Sequence, residues 1–132
     1  MKKEITKMDK KNIRPILNLS SKNSSEEEKF QNEVLRPIIK LQHSIIVDYF
    51  SNLLSVQKID FNNLKKEKKQ ELINEKLIKE NTLRDFFKGL ICGLFTSEEF
   101  EYYLGNKNAI NKRITQIIEK RLIDSLEEIK NK

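Results

Sequence analysis

Few side chains in this sequence have the chemistry of an active site. His43 is the only histidine and Cys92 the only cysteine. A cysteine nucleophile needs a nearby base or positive charge, and the apolar neighbours of Cys92 favour a packed thiol. His43 lies at the margin of an apolar stripe, which is typical of a structural histidine. One His and one Cys cannot complete a zinc site, so we expect no catalytic residue, no metal and no cofactor.

A group of carboxylates, Glu98, Glu99 and Glu101, could in principle perform acid–base chemistry. They follow Thr96, however, and Thr96 and Glu99 have the spacing of a capping box, in which each residue bonds the backbone of the other. Carboxylates in a first turn also interact favourably with the helix dipole. The pattern therefore predicts the beginning of a short helix.

Two polar residues interrupt apolar faces. Gln42 falls near the centre of a stripe in the first half of the chain, and Arg121 falls between apolar residues near the end. A buried arginine needs a carboxylate or several carbonyls, and Asp48 is a candidate partner for Arg121. Either Arg121 and Asp48 form a structural pair within the protein, or the faces that carry Gln42 and Arg121 meet in an oligomer, where these two residues determine the register.

Both prolines occur in an Arg-Pro-Ile string. Arg14 and Pro15 lie in a basic leader, where Ile16 and Leu17 would be exposed, and this composition is typical of a docking peptide. The second proline, Pro37, lies within a helical pattern. The alternative is coincidence in a chain rich in Ile, Leu and Lys.

The elements that position these residues are helices. Apolar residues recur at three- and four-residue steps from Phe30 to Val56 and keep their phase across Pro37, which predicts one long helix with a kink at the proline. Later stripes predict a helix from about 62, a Phe-rich helix after 82, a short helix after 96 and a last helix over about 108–129. The buried face of the Phe-rich helix is expected to comprise Phe86, Phe87, Leu90, Ile91, Leu94 and Phe95. The expected fold is an all-α bundle of four to five helices.

Charge divides the chain into two parts. The net charge is +6, and residues 1–22 hold seven basic residues against Glu4 and Asp9, so that the remainder is nearly neutral. We predict a flexible basic arm over 1–23 and a single helical domain over 24–132.

No apolar run reaches the roughly 20 residues needed to span a bilayer, and no signal-peptide pattern is visible. These features predict a cytoplasmic protein.

Three strings carry a resemblance to known proteins: FQNEVLRPIIKLQ (30–42), GLICGLFTSEEFEYY (89–103) and NKNAINKRI (106–114). Over about 30–126 the chain resembles a group of short, uncharacterised bacterial proteins, some of which carry the label glyoxalase. The resemblance implies an all-helical family with a shared surface. Metal-dependent glyoxalase chemistry uses His and Glu ligands on a β-rich scaffold, and one histidine without strand patterns does not predict it.

The sequence thus predicts a non-enzymatic helical module that binds a protein partner or self-associates, and it implies no small-molecule ligand. The alternative is a nucleic-acid or ribonucleoprotein-associated protein that uses the basic arm together with Lys65, Lys66, Lys68, Lys69, Lys112 and Arg113. A third hypothesis is an enzyme with an unrecognised pocket. The predicted interaction surface comprises Arg14, Ile16, Leu17, Gln31, Asn32, Arg36, Lys40, Gln42, Asn108, Asn111, Lys112 and Arg113.

Overall fold

A computed structural model describes residues 7–15 and 25–130, and these residues contain helices and no strand. Ile16 and Leu17 lie outside the described residues. The α-helices are α1 (Lys7–Asn12), α2 (Glu26–Phe30), α3 (Arg36–Leu41), α4 (His43–Val56), α5 (Lys66–Lys79), α6 (Asn81–Cys92), α7 (Ser97–Gly105) and α8 (Lys107–Ile123). A π-helical segment, Gln31–Leu35, joins α2 to α3, and a 3-10 turn, Leu126–Glu128, follows α8. The all-α class is confirmed, whereas the count of four to five helices is wrong.

The kinked first helix is also wrong. Instead of one bent helix, the chain forms α2, the π-helical segment, α3 and α4. Proline has no N–H to donate, and Pro37 lies in the first turn of α3, where the Arg36 N–H bonds back five residues to the Gln31 carbonyl. The π-type bond thus accommodates the proline within a helical path. The interruption comes later, at Gln42, whose φ of −91° and ψ of 12° separate α3 from α4.

The core combines one apolar face from each of the longer helices. In α4 the buried apolar residues are Ile46, Val47, Phe50 and Leu54. Two residues of the predicted stripe, Leu41 in α3 and Ile45 in α4, are 38% and 46% exposed. In α6 the buried residues are Leu83, Phe87 and Ile91, with Leu90 only partly buried against them. In α8 they are Ile110, Ile114, Ile118 and Leu122. The helical periodicity is confirmed. The stripe assigned to α4 is displaced by about one residue, whereas the face predicted for the Phe-rich helix includes the buried Phe87, Ile91 and Phe95.

Helices α5, α6 and α8 pack against one another, and α3 and α7 each contact α8. The final turn closes the bundle, because Ile129 is buried and the Lys130 N–H donates to Ser51 Oγ at 3.2 Å. Stacked Tyr49 and Phe86, with ring centroids 3.8 Å apart, connect α4 to α6. Within the described residues, every helix is too short or too polar to cross a lipid bilayer.

Helix ends follow sequence rules in some places and not in others. The capping box of Thr96 and Glu99 is present with both bonds. At α2 the Ser25 hydroxyl accepts from the Glu28 N–H at 3.1 Å. By contrast α5 begins after Lys65, whose side chain provides no cap. The predicted beginning near residue 62 was therefore too early, since Phe61 and Leu64 instead pack in the connection before α5.

Candidate functional site

The basic leader contacts the body of the protein through Arg14. One guanidinium nitrogen, Nη1, donates to Glu99 Oε2 at 3.0 Å, and the other, Nη2, donates to Glu99 Oε1 at 2.7 Å. Nη2 also donates to the Leu94 carbonyl at 2.6 Å. Only 6% of the Arg14 side chain and 11% of the Glu99 side chain remain exposed. Such a two-point pairing is the strong form of an arginine–carboxylate contact.

The receiving surface is formed by the connection between α6 and α7. Because α6 ends at Cys92, the carbonyls of Leu94 and Phe95 lie outside the helix and are available as acceptors. Lys10 of α1 donates to the Phe95 carbonyl at 2.8 Å, one helical turn before Arg14. We call the Glu99 carboxylate and the carbonyls of Leu94 and Phe95 the arginine site.

Glu99 is positioned by its own helix. Its Oε1 accepts from the Thr96 N–H at 2.8 Å, and its N–H donates to Thr96 Oγ1 at 3.2 Å. Burial alone would raise the pKa of Glu99, but hydrogen bonds from Arg14 and Thr96 and the charge of Arg14 outweigh burial and lower that pKa below its ordinary value. The carboxylate is therefore ionised at neutral pH, and it joins the N-terminus of α7 to the leader.

The exposed side of α7 carries two apolar residues, Phe100 and Leu104, beside the polar residues Ser97, Glu98 and Glu101. Phe100 is 42% exposed and Leu104, one turn later, is 53% exposed. Tyr103, whose ring stacks on that of Phe100 with centroids 5.8 Å apart, is buried, and its hydroxyl donates to Asn111 Oδ1 of α8 at 2.6 Å. Helix α7 is thus fixed at its beginning by the contacts that Glu99 makes in the arginine site, and near its end by the bond from Tyr103 to Asn111. It presents Phe100 and Leu104 on a supported surface.

The predicted surface residue Arg36 and the predicted buried residue Arg121 line the same cleft at a second location. They line a cleft of about 180 Å³ between α3 and the end of α8, together with Ile117, Lys120, Asp124 and Ser125. Lys120 pairs with Asp124 at 3.1 Å. Cations in the last turn of a helix complement its dipole, so part of this charge stabilises α8 itself.

Arg121 belongs to a polar chain that sequence reasoning did not predict. Its Nη1 lies 3.3 Å from His43 Nδ1, and His43 Nε2 lies 3.0 Å from Glu128 Oε1. Since arginine only donates, Nδ1 accepts and Nε2 carries the hydrogen that Glu128 receives. The hydrogen bond from His43 lowers the pKa of Glu128. Asp48, the expected partner of Arg121, is exposed rather than buried.

The remaining surface candidates divide between bundle contacts and exposed positions. Asn32 accepts from Arg36 Nε at 3.2 Å within the same helical run, and Asn111 bonds Tyr103 as described. Arg113 lies 3.9 Å from Glu27 and lines a cleft of about 260 Å³ with Lys112. Gln31 and Gln42 are half-buried, whereas Lys40, Asn108, Lys112 and Arg113 are exposed. The role of these residues as an interaction surface stays a prediction.

Cys92 is half-buried, and burial raises the pKa of its thiol although Tyr103 and Lys88 act in the opposite direction. A raised pKa means a protonated, weakly nucleophilic sulfur at neutral pH. Among the described residues no group of three His, Cys, Asp or Glu side chains is arranged to bind a metal ion.

The pairing of Arg14 with Glu99 could not be found in the sequence, because 85 residues separate the partners. The sequence contained one indication of this pairing, because the capping box positions Glu99 and Arg14 was already a candidate interaction residue. The chain matches no protein-family model, no curated protein and no solved structure. Its resemblance to a group of bacterial helical proteins therefore stays a prediction.

Proposed function

We propose that this chain is a non-enzymatic helical interaction module that binds a protein partner through the outer face of α7. The observation that carries the proposal is the pair Phe100 and Leu104, which are 42% and 53% exposed one turn apart. Apolar pairs at this spacing are the contacts that a helix offers to a complementary groove or helix. The proposal places the module in the cytoplasm.

Two further features support α7 as the contact element. Its ends are held by the arginine site and by the bond from Tyr103 to Asn111, so binding would require little ordering of the helix. Ile13, beside Arg14, is 54% exposed. An aliphatic residue in the docked leader adds to the apolar character near the beginning of α7.

The test is affinity capture followed by mass spectrometry with the wild type, the double variant Phe100→Glu/Leu104→Glu, and Ile78→Glu as control. Ile78 lies on α5 and is 62% exposed, so its variant matches the change in surface polarity. We expect one protein to be retained by the wild type and the control and lost from the double variant. Identical retention by all three chains would contradict the proposal. Sedimentation equilibrium of the same proteins distinguishes self-association from binding to another protein.

The alternative function is association with nucleic acid. It is favoured by the basic lining of the cleft at Arg36, Lys120 and Arg121, and by the exposed lysines at the beginning of α5. Binding to phosphates releases counterions, so the affinity would fall steeply with salt concentration. The affinity of binding through Phe100 and Leu104 would depend little on salt concentration. Absence of a gel shift at low salt with the intact chain would exclude the alternative.

A further inference from the structure

We propose that the arginine site is a receptor for an arginine-bearing segment of another protein, and that the chain's own Arg14 occupies it as an internal competitor. This inference rests on the proposed function, because it names the chemistry of the partner that binds at α7. Three observations carry it: the site is formed independently of the leader, the leader is held by polar contacts, and the leader fills the site incompletely.

The acceptors belong to the packed body of the protein. Phe95 is 3% exposed and belongs to the core, and Glu99 is oriented by Thr96 within its own helix. Neither arrangement depends on Arg14. With the leader released, a carboxylate and two carbonyls would still converge on one point, and a preorganised site binds more tightly than one that must be assembled.

The leader, in contrast, contributes no described apolar side chain to the core, whose first member is Val34. Helix α1 has six residues, and isolated helices of that length are unstable in water. Lys10 and Arg14 donate hydrogen bonds that attach it to the body of the protein. Segments with few buried apolar contacts open more readily than the core, so the leader can be displaced.

The occupied site also leaves one donor unsatisfied. Arg14 Nε is buried and has no hydrogen-bond partner among the described residues. A buried unpaired donor costs free energy. A segment that carries its own acceptor beside the arginine would satisfy that donor, and it would bind better than the chain's leader.

These contacts define the ligand. It contains an arginine, because only a planar guanidinium reaches both Glu99 oxygens and the Leu94 carbonyl together. It contains a lysine four residues earlier, because Lys10 in α1 and Arg14 just after this helix both donate to the site. The geometry points to a basic segment with the pattern Lys-x-x-x-Arg.

The experiment measures binding of a fluorescent peptide with the sequence of residues 7–15, KMDKKNIRP, to full-length proteins by anisotropy. The wild type, whose site is filled, should bind weakly. Arg14→Ala should bind at least tenfold more tightly. Adding Glu99→Gln to Arg14→Ala should remove at least tenfold of that affinity, whereas adding Glu75→Gln should not, because Glu75 lies in an exposed pair with Lys79. A peptide with lysine in place of arginine should bind at least tenfold more weakly.

Circular dichroism verifies that each variant is folded, and Arg14→Lys provides an intermediate case that keeps the charge. Equal binding by the wild type and Arg14→Ala would overturn the inference, as would undiminished binding after Glu99→Gln. A wild-type dimer that forms with rising concentration and disappears in Arg14→Ala would overturn the assignment to another protein and identify a second copy's leader as the segment. The double variant Phe100→Glu/Leu104→Glu separates the two proposals, because partner capture tests the proposed function and peptide binding tests the arginine site. Loss of partner capture together with intact peptide binding supports both proposals. Unchanged capture would contradict only the proposed function.

Discussion

Glu99 connects three parts of the molecule through one carboxylate. It closes the capping box of α7, pairs with Arg14, and thereby joins the leader to the connection between α6 and α7. Hydrogen bonds from charged donors stabilise more than neutral ones, by roughly 1.5–3 kcal/mol each. If Arg14 is removed, the leader can move into solvent, so the loss is limited to the free energy of docking.

The depressed pKa of Glu99 predicts a pH-dependent stability. A carboxyl whose folded pKa lies below its ordinary value of 4.5 contributes stability above that pH, and the contribution is lost as the pH falls through the folded pKa. Glu99→Gln should lower the free energy of unfolding at pH 7 by about 1–3 kcal/mol. The difference from wild type should diminish as the pH falls below 4.5.

Urea unfolding of the wild type and Glu99→Gln at several pH values checks this expectation. Glu75→Gln is the matched control, because its exposed pair with Lys79 should contribute at most about 1 kcal/mol. A difference between wild type and Glu99→Gln that stays constant into the acid range would show that ionisation of Glu99 does not stabilise the fold.

Core substitutions in α6 test which residues of its predicted buried face lie deepest. Ile91 is fully buried, whereas the predicted core residue Leu90 is only partly buried. Ile91→Ala should therefore cost about 2–5 kcal/mol through lost burial and a cavity. Leu90→Ala should cost clearly less, since part of its side chain is already in water. Denaturant midpoints for the two variants measure the difference, and the reverse order would refute this assignment of the face.

Residues close in sequence were predictable and distant partners were not. Thr96 and Glu99 are three positions apart, so their capping box follows from local geometry alone. The partner of His43 is Glu128, and that of Arg14 is Glu99, each 85 residues away. Such pairs depend on how the helices pack, which hydrophobic periodicity does not specify.

The run from α2 to α4 illustrates what periodicity predicts for an element. The stripe predicted helical structure correctly, because apolar spacing reports the helical repeat directly. It could not predict the π-type bond before Pro37 or the departure from helical backbone angles at Gln42. Both changes alter the rotation of the following residues around the helix axis, and as a result Ile45 is exposed while Ile46 is buried.

Helix α5 begins unfavourably, and this predicts a stabilising substitution. Its N-cap residue Lys65 has extended backbone angles, φ −69° and ψ 156°, but gives no side-chain cap. Lysine also places positive charge near the positive end of the helix dipole. Lys65→Asp should raise the free energy of unfolding by about 0.5–2 kcal/mol, because aspartate caps the N-terminus and reverses the charge.

Thermal and urea unfolding of Lys65→Asp measure the gain. Lys65→Ala separates the two causes, since it removes the charge without supplying a cap. If Lys65→Asp is no more stable than Lys65→Ala, the missing cap is not the weakness of this helix.

For the whole molecule, charge and burial are unevenly distributed. Most of the net positive charge belongs to residues 1–22, whereas the apolar core begins at Val34 and extends to Ile129. The all-α class could be predicted from this composition and from the absence of strand patterns. The contact between the leader and α7 could not, because it is made by two polar side chains against backbone carbonyls and one carboxylate.

This distribution predicts an order of local opening that hydrogen exchange can measure. Amides in α4, α6 and α8, whose apolar faces form the core, should exchange only through large-scale unfolding. Amides in α1 should exchange much faster, since this six-residue helix contributes no described apolar side chain to the core. Arg14→Ala should remove the remaining protection of α1 and leave that of α8 nearly unchanged, because α8 contributes its own buried face. Arg36→Ala is the matched control, as it removes an arginine outside the arginine site. Equal protection of α1 and α8 in the wild type would mean that the leader unfolds together with the core, and the leader would then be unable to act as a displaceable competitor.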